Sequence, residues 1–325
     1  MNNRKIVVLG CQNDWCAASL DKPIKENIIK YFDKIVVDNL FFKLLFSSKI
    51  NHIFKVPLKF VYYKKIDEII NISGNEIILV YDQFNLNCDI NLYRYLKKAH
   101  PNITLVYLFT NIIEHSKARY YKYDTKLRDF FDFVFCFDRE DAKKYEYDYH
   151  GLLFDRLDAK YETIALDCDL FFVGQAKDRV DRIVNIYDMA LRESLSCYFY
   201  CTNYNDKSNF YSSKNIFYDK YLKYETVICK IKSSKAVVDI MQQNSTGITL
   251  NICDAIFFNK KIITDNLNVK FEPWYNPNRI YLIGEEDRTI TDFLLMPMND
   301  FSDTERYYFS LSRLIDRIGG KDDRS

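Results

Sequence analysis

Residues 244–266 read NSTGITLNICDAIFFNKKIITDN. Gly247 sits between Thr246 and Thr249, an apolar run over Ile248–Phe258 follows, and Lys260 and Lys261 lead into a short β-branched run ending at Thr264. The order is glycine loop, buried helix, turn, buried strand. A strand apolar along its whole length, next to a helix, is the mark of a parallel sheet covered on both faces. The chain has eight glycines in 325 residues, so the placing of one here asks for a reason. Without a Cβ, Gly247 lets another group approach the backbone. Ser245 or Thr246 is placed to cap the helix. The free N–H groups and positive dipole end at such a helix start favour an anion, by about 0.3–1 kcal/mol per charge. Thr249 adds a hydroxyl on the same turn. Asp254 lies within the apolar run and needs hydrogen-bonding partners, which either a ribose diol or solvent at the helix edge would supply. Spacing alone leaves open an ordinary capped core helix.

Outward from this stretch the same alternation fills the chain. Strand-like runs occur at Lys5–Gly10, Lys34–Asp38, Glu76–Tyr81, Ile103–Phe109 and Asp132–Phe137. A second set is Asp169–Gly174, Leu195–Cys201, Asn215–Tyr218, Ala236–Ile240, Lys261–Thr264 and Arg279–Ile283. Helical patterns at Ile90–Lys98, Arg179–Glu193, Ile248–Phe258 and Thr304–Ile318 lie between them. The reading is α/β, with two Rossmann-like parallel-sheet domains facing across a cleft; one (β/α)₈ barrel is the alternative. A polar, acidic stretch over Gly151–Cys168 divides the chain into domains 1–155 and 156–325. The last helix, with Tyr307, Leu311, Leu314, Ile315 and Ile318 on one face, is expected to pack back on the N-terminal domain.

Composition narrows the function. Lys plus Arg number 46 against 45 Asp plus Glu, so overall charge steers no polyanion to the molecule and nucleic acid is not an expected partner. No apolar run is long enough for a membrane span or a signal-peptide core, which predicts a cytoplasmic protein. The nine cysteines are scattered without a CxxC pair, so reduced thiols are expected; Cys11 and Cys16 lack the supporting residues of a metal site. Between Asp38 and Asp67 there is no acid, while Lys43, Lys49, Lys55, Lys59, Lys64 and Lys65 interleave with apolar residues. Residues 40–65 are thus either a helix packed on the sheet or a surface for an anionic membrane.

In doubly wound sheets ligands sit beyond the strand carboxyl ends. There, DLFFVGQAKDRV (169–180) runs from strand through Gly174 to Lys177 and Arg179, either of which could meet a phosphate. It lacks GxGxxG and is no dinucleotide fingerprint. For a general base on the first domain, Asp82 directly ends EIILVY and is favoured; Glu114 or His115 comes next, then Asp14. Asp138 and Asp141 read as a helix cap, and Asp167 and Asp169 precede a strand rather than follow one, so neither pair is taken as a metal site.

Three segments of the second half, FFVGQAKDR, STGITLNICDAIFFNKKIITDN and WYNPNRIYLIG, together resemble the C-terminal half of GT-B glycosyltransferases that build bacterial surface polysaccharides such as capsule and lipooligosaccharide. RYLKKAHPNITLVYLFTN and FCFDREDAKKYEYDY resemble the same family's acceptor half. The resemblance implies donor phosphates over Gly174, Gln175 and Lys177 and over Thr246, Gly247 and Thr249. It places Asp254 where the family has a Glu on the ribose, and Tyr275 and Asn276 at the cleft floor. Asn251 replaces a frequent Arg, and Asn259 a glycine. The implied activity is transfer of a hexose from a nucleotide diphosphate sugar, UDP-linked by family habit, to a hydroxyl of a growing surface glycan. The acceptor would be lipid-linked at the inner membrane face, and the transfer metal-independent and inverting, with no cofactor. Alternatives are a nucleotide-sugar epimerase or hydrolase of the same fold, and a non-catalytic partner of a polysaccharide synthase, which the departures at Asn251 and Asn259 would favour.

Overall fold

The computed structural model describes residues 4–37, 58–116, 122–123, 125–156, 165–202, 215–218, 221–285 and 287–320. The chain forms two compact units, Met1–His150 and Gly151–Ser325.

The first unit runs β1 (Ile6–Leu9), α1 (Asp14–Ala18), α2 (Asp21–Lys25), β2 (Ile29–Phe32), α3 (Leu58–Ile70), β3 (Ile77–Tyr81), α4 (Ile90–Ala99), β4 (Thr104–Phe109), β5 (Phe133–Cys136), α5 (Arg139–Tyr145) and β6 (Asp148–Tyr149). All six strands are parallel, in the order β2-β1-β3-β4-β5-β6, with Ile6 in register with both Ile29 and Ile77. Every residue of β1 and β3 is buried, as a strand covered on both faces requires. In α4, Asp89 caps the start by accepting from the Leu92 N–H, and Ile90, Tyr93 and Leu96 recur at helical spacing on the buried side.

Two expectations are corrected here. The second strand is Ile29–Phe32, not Lys34–Asp38. The apolar run after it is a strand-like tail whose Ile35 bonds a side chain instead of a neighbouring strand: its N–H donates to Asn85 Oδ1 and its carbonyl accepts from Asn85 Nδ2. Cys11 and Cys16 are not free thiols but a disulfide, because the turn from β1 into α1 brings their Cα atoms to 6.0 Å. Just before Cys11, Gly10 lies flat against Tyr31. A Cβ at Gly10 would overlap the tyrosine ring and hydroxyl, and that hydroxyl bonds both the N–H and the carbonyl of Cys11.

The second unit runs β7 (Cys168–Gln175), α6 (Val180–Arg192), β8 (Cys197–Thr202), β9 (Ile216–Tyr218), α7 (Tyr224–Lys232), β10 (Ser234–Asp239), α8 (Leu250–Phe257), β11 (Lys261–Thr264), β12 (Ile280–Leu282), α9 (Ile290–Leu295), α10 (Asp303–Tyr307) and α11 (Leu311–Ile318). Its parallel order is β12-β11-β10-β7-β8-β9, the doubly wound order of a Rossmann sheet, whose winding reverses between β7 and β10. The predicted final helix is two: Ser310 accepts from the Arg313 N–H and restarts the chain as α11, which belongs to this unit.

The basic pair has structural work. Lys260 Nζ donates to the Lys232 carbonyl at the end of α7 (2.7 Å). Lys261 Nζ donates to the carbonyls of Phe293, Leu294 and Met296 at the end of α9. Cations on the last carbonyls of two helices complement their dipoles. Asn259, where the resembling family has glycine, has φ +52, the left-handed region that Asn tolerates better than most residues. Its Oδ1 accepts from the Phe301 N–H and from Arg306.

Among the described residues no helix is long and apolar enough to cross a membrane. The basic segment at 40–65 lies outside the described residues up to 57.

Candidate functional site

The β7/β10 reversal draws together two loops of the second unit. Gly174 and Gln175 end β7, and the loop beyond carries Lys177, Asp178 and Arg179. Asp239 ends β10, and the loop beyond it carries Met241, Gln242 and Gln243. Arg179 clips the two strand ends together, its Nε donating to the Gln175 carbonyl (2.9 Å) and its Nη1 to that of Ile240. Lys177, at φ +43, donates to Gln242 Oε1, and the Gln243 N–H donates to Asp178 (2.8 Å). Burial lowers the pKa of both cations; Arg179 adds to the effect on Lys177, while Asp239 offsets it for Arg179. A Cβ at Gly174 would stand 2.9 Å from Arg179 Nη2 and 3.2 Å from the Phe172 ring. The space that a side chain at this glycine would enter is thus bordered by the protein's own guanidinium.

Asp239 was not anticipated; it lies inside the strand-like run Ala236–Ile240 and ends β10. Its buried carboxylate accepts from Thr249 Oγ1 (2.7 Å) and Thr264 Oγ1 (3.2 Å), and burial pushes it up to about 6 against those two bonds and the pull of Arg179. Arg182, also missed, spans Asp265 Oδ2 (2.5 Å) and the Met241 carbonyl (2.6 Å). No motif flags Arg182; its place on the first turn of α6 emerges only once the loops are folded.

The opening loop is therefore rearranged from its expected form. α8 starts at Leu250, and its cap is Thr249, whose hydroxyl oxygen accepts from the Ile252 N–H, rather than Ser245 or Thr246. The same hydroxyl donates its proton to Asp239, so Thr249 is engaged within the protein. Thr246 and Gly247 lie in the loop between β10 and α8, where Asn266 Nδ2 donates to both their carbonyls (3.4 and 3.2 Å). Asn251 Nδ2 donates to the Val173 carbonyl (3.0 Å), tying α8 to the end of β7.

Asp254, expected on a ribose, is fully buried. Its Oδ1 accepts from the Tyr224 hydroxyl (2.7 Å) and lies 3.8 Å from Arg156 Nη1. The Arg156 guanidinium sits over the rings of Tyr224 (5.3 Å), Phe258 (5.7 Å) and Phe154 (5.8 Å). Burial pushes the Asp254 carboxyl up to about 7, against Arg156 and the Tyr224 bond. Tyr275 and Asn276 were expected at a cleft floor. They form the turn that feeds the amino end of β12, where the Asn276 carbonyl accepts from the N–H groups of Arg279 and Ile280. In a parallel sheet that is the edge away from the strand carboxyl ends.

In the first unit, Asp82 follows β3 and is buried. Its Oδ1 accepts from the Thr110 hydroxyl (2.6 Å) and N–H (3.1 Å). Burial pushes its carboxyl up to about 6, opposed by Thr110. Gln83 Nε2 donates to Thr110 Oγ1 (3.0 Å), and Asn13 Nδ2 donates to Gln83 Oε1 (2.8 Å). Asp14 is exposed in the first turn of α1, and Glu114 and His115 are exposed on the short turn Ile113–His115 after β4. The loops after β1, β3 and β4 thus bring all four candidate bases to one edge of the sheet. Asp138 caps α5, accepting from the N–H groups of Glu140 and Asp141. Asp169 accepts from Ser196 and pairs with Lys235 (2.7 Å), and Asp167 pairs with Lys230 (2.7 Å).

No protein-family model matches the chain, and no curated protein sequence does. Solved structures do resemble it. HepE from Anabaena, solved in complex with UDP and glucose, aligns over 98% of each chain at 10% identity with a TM-score of 0.57. A Listeria monocytogenes protein assigned as a UDP-N-acetylglucosamine 2-epimerase aligns over 100% of this chain and 99% of its own, at 10% identity and TM-score 0.47. A DNA-modifying β-glucosyltransferase aligns over 96% and 98%, at 11% identity and TM-score 0.46. The likeness to HepE shows the fold: α/β, with two Rossmann-like parallel-sheet domains of the GT-B class.

Proposed function

We propose that the chain is a GT-B glycosyltransferase whose second unit holds a nucleotide diphosphate sugar and whose first unit holds the acceptor. One observation carries the reading. Lys177 and Arg179 stand two residues apart at the sheet reversal, and among the described residues neither makes an ion pair with a carboxylate. Burial lowers the pKa of both, offset only in part by Asp178 for Lys177 and by Asp239, Asp178 and Asp265 for Arg179, and a diphosphate would add direct counter-charge. With the start of α8 behind the Gly247 loop, these cations would also stabilise the leaving diphosphate, so the reading needs no metal. In an inverting transfer, a base at the first-unit edge removes the acceptor hydroxyl proton as the oxygen attacks the anomeric carbon; exposed Asp14, Glu114 and His115 are the candidates that can touch substrate. From the family resemblance we carry forward a UDP-linked hexose as donor and a surface-glycan hydroxyl, on a lipid carrier at the inner membrane face, as acceptor.

The test is calorimetry of UDP, GDP, CDP and ADP, with and without magnesium, on the wild type and Lys177→Ala. Micromolar binding of one diphosphate is expected, weakened about tenfold or more in the variant, or about 1.4 kcal/mol. Binding of none of the four overturns the donor site.

A further inference from the structure

The bonds joining the first-unit loops all run one way: Asn13 donates to Gln83, Gln83 to Thr110, and Thr110 to Asp82. An ionised carboxylate only accepts, so the Thr110 hydroxyl must point its proton inward. That hydroxyl then offers Gln83 only a lone pair. Gln83 must turn its NH₂ to Thr110 and its oxygen to Asn13. Asn13, exposed, spends one N–H on Gln83 and does not cap α1, which leaves its side-chain oxygen as its acceptor for an outside group, beside its second N–H.

We infer that Asp82 is a positioning residue that, through Thr110 and Gln83, sets Asn13 Oδ1 outward as the acceptor for a hydroxyl of an uncharged sugar. The inference rests on the glycosyltransferase reading and names its acceptor class. Charge selects the neutral sugar. Residues 10–14, 82–87 and 110–116 carry Asp14, Asp82 and Glu114, one histidine, His115, and no Lys or Arg. A phosphate or uronate would meet repulsion there, while hydroxyls find carboxylate and amide acceptors.

A proton on Asp82 Oδ1, the oxygen that Thr110 bonds, reverses each link. The carboxyl O–H would donate to Thr110, Thr110 to Gln83 Oε1, and Gln83 to Asn13 Oδ1, leaving an NH₂ outward. The titratable groups facing Asp82 are Tyr81 beside it, Tyr107 on β4 and Cys136 on β5. Burial raises all three well above their ordinary values, so each stays neutral while Asp82 titrates near 6. Asp82→Asn separates ionisation from shape: the Thr110 N–H holds the amide oxygen toward itself, so the outward polarity persists at every pH.

The experiment is side-chain amide NMR on the full chain, selectively labelled with ¹⁵N at Asn and Gln. The probes are the methyl glycosides of glucose, galactose and N-acetylglucosamine, against glucose 6-phosphate, between pH 5 and 7.5. The Asn13 signal is expected to respond to a neutral glycoside and not to glucose 6-phosphate. Wild-type affinity should fall at least fivefold from pH 7.5 to 5, and Asp82→Asn should bind equally at both. If that variant does not fold, Thr110→Val replaces it, with weak and pH-independent binding expected. Absence of an Asn13 response to all three glycosides, equal binding of glucose 6-phosphate, or a wild-type pH profile in the variant overturns the inference. UDP added to the same samples keeps the two readings apart. Binding of UDP without a glycoside response refutes the acceptor inference alone, whereas the donor site falls only if UDP, GDP, CDP and ADP all fail to bind.

Discussion

Asp254 separates two accounts of α8. Asp254→Ala deletes the carboxylate that accepts from Tyr224 at 2.7 Å and faces Arg156 at 3.8 Å, both side chains being essentially closed to solvent. Removing one partner of a buried pair costs roughly 3–5 kcal/mol, because the remaining charge keeps its desolvation cost and loses its compensation. Asp254→Asn keeps the shape and an acceptor for Tyr224. At pH 7 the native carboxyl, raised to about 7, is itself partly neutral, so the amide should cost less than about 2 kcal/mol. Urea unfolding at pH 7 measures both. Calorimetry with the nucleotide that the wild type binds completes the set, and the Asn variant should stay within about threefold of wild type because the carboxylate lies behind the protein surface. If Asp254 instead grips a ribose, the pattern inverts. An alanine variant that loses less than about 1 kcal/mol of stability while binding nucleotide tenfold more weakly refutes the reasoning.

Lys261→Met should cost about 2–4 kcal/mol by urea unfolding, since it strips a charged donor from three carbonyls ending α9; a loss below about 1 kcal/mol would show that water replaces it. Asn259→Ala should destabilise more than Asn259→Gly. Both lose the bonds to Phe301 and Arg306, but only alanine adds left-handed strain, and equal losses would refute that division. Asp82, Asp239 and Asp254 are raised by burial to about 6, 6 and 7, so each binds its proton more tightly folded than unfolded. Their contribution is complete below about pH 4 and lost as pH rises through 6–7. The urea midpoint at constant ionic strength should therefore fall between pH 4.5 and 7.5, with a shallower fall in Asp254→Asn; a rising midpoint contradicts the burial argument.

Legibility followed the physics of each element. β11 begins and ends at the predicted residues, because a β-branched run between a helix and a turn has one way to be buried. The fold class could be read for the same reason, from repeated apolar runs separated by helical periods. The second strand was misplaced because Ile35 to Val37 looks more apolar than Ile29 to Phe32, and the bonds that hold Ile35 come from Asn85, fifty residues away. In the candidate site the glycine, the cations and the strand-end acid were visible as residue types. Their partners were not. Whether Thr249 faces a ligand or Asp239, and whether Asp254 faces a sugar or Arg156, depends on contacts between loops that no local pattern encodes.

The fit of Gly10 against Tyr31 has a consequence for descent. With the ring occupying the space of any Cβ at position 10, the two positions can change only together: a larger residue at 10 requires a smaller one at 31. Losing the phenol also removes the hydroxyl that binds both backbone groups of Cys11, so the bridge between Cys11 and Cys16 would have to be re-anchored in the same step. Homologous chains should therefore sort into lineages that keep the glycine, tyrosine and cysteine pair together or replace them as a set, with few intermediates.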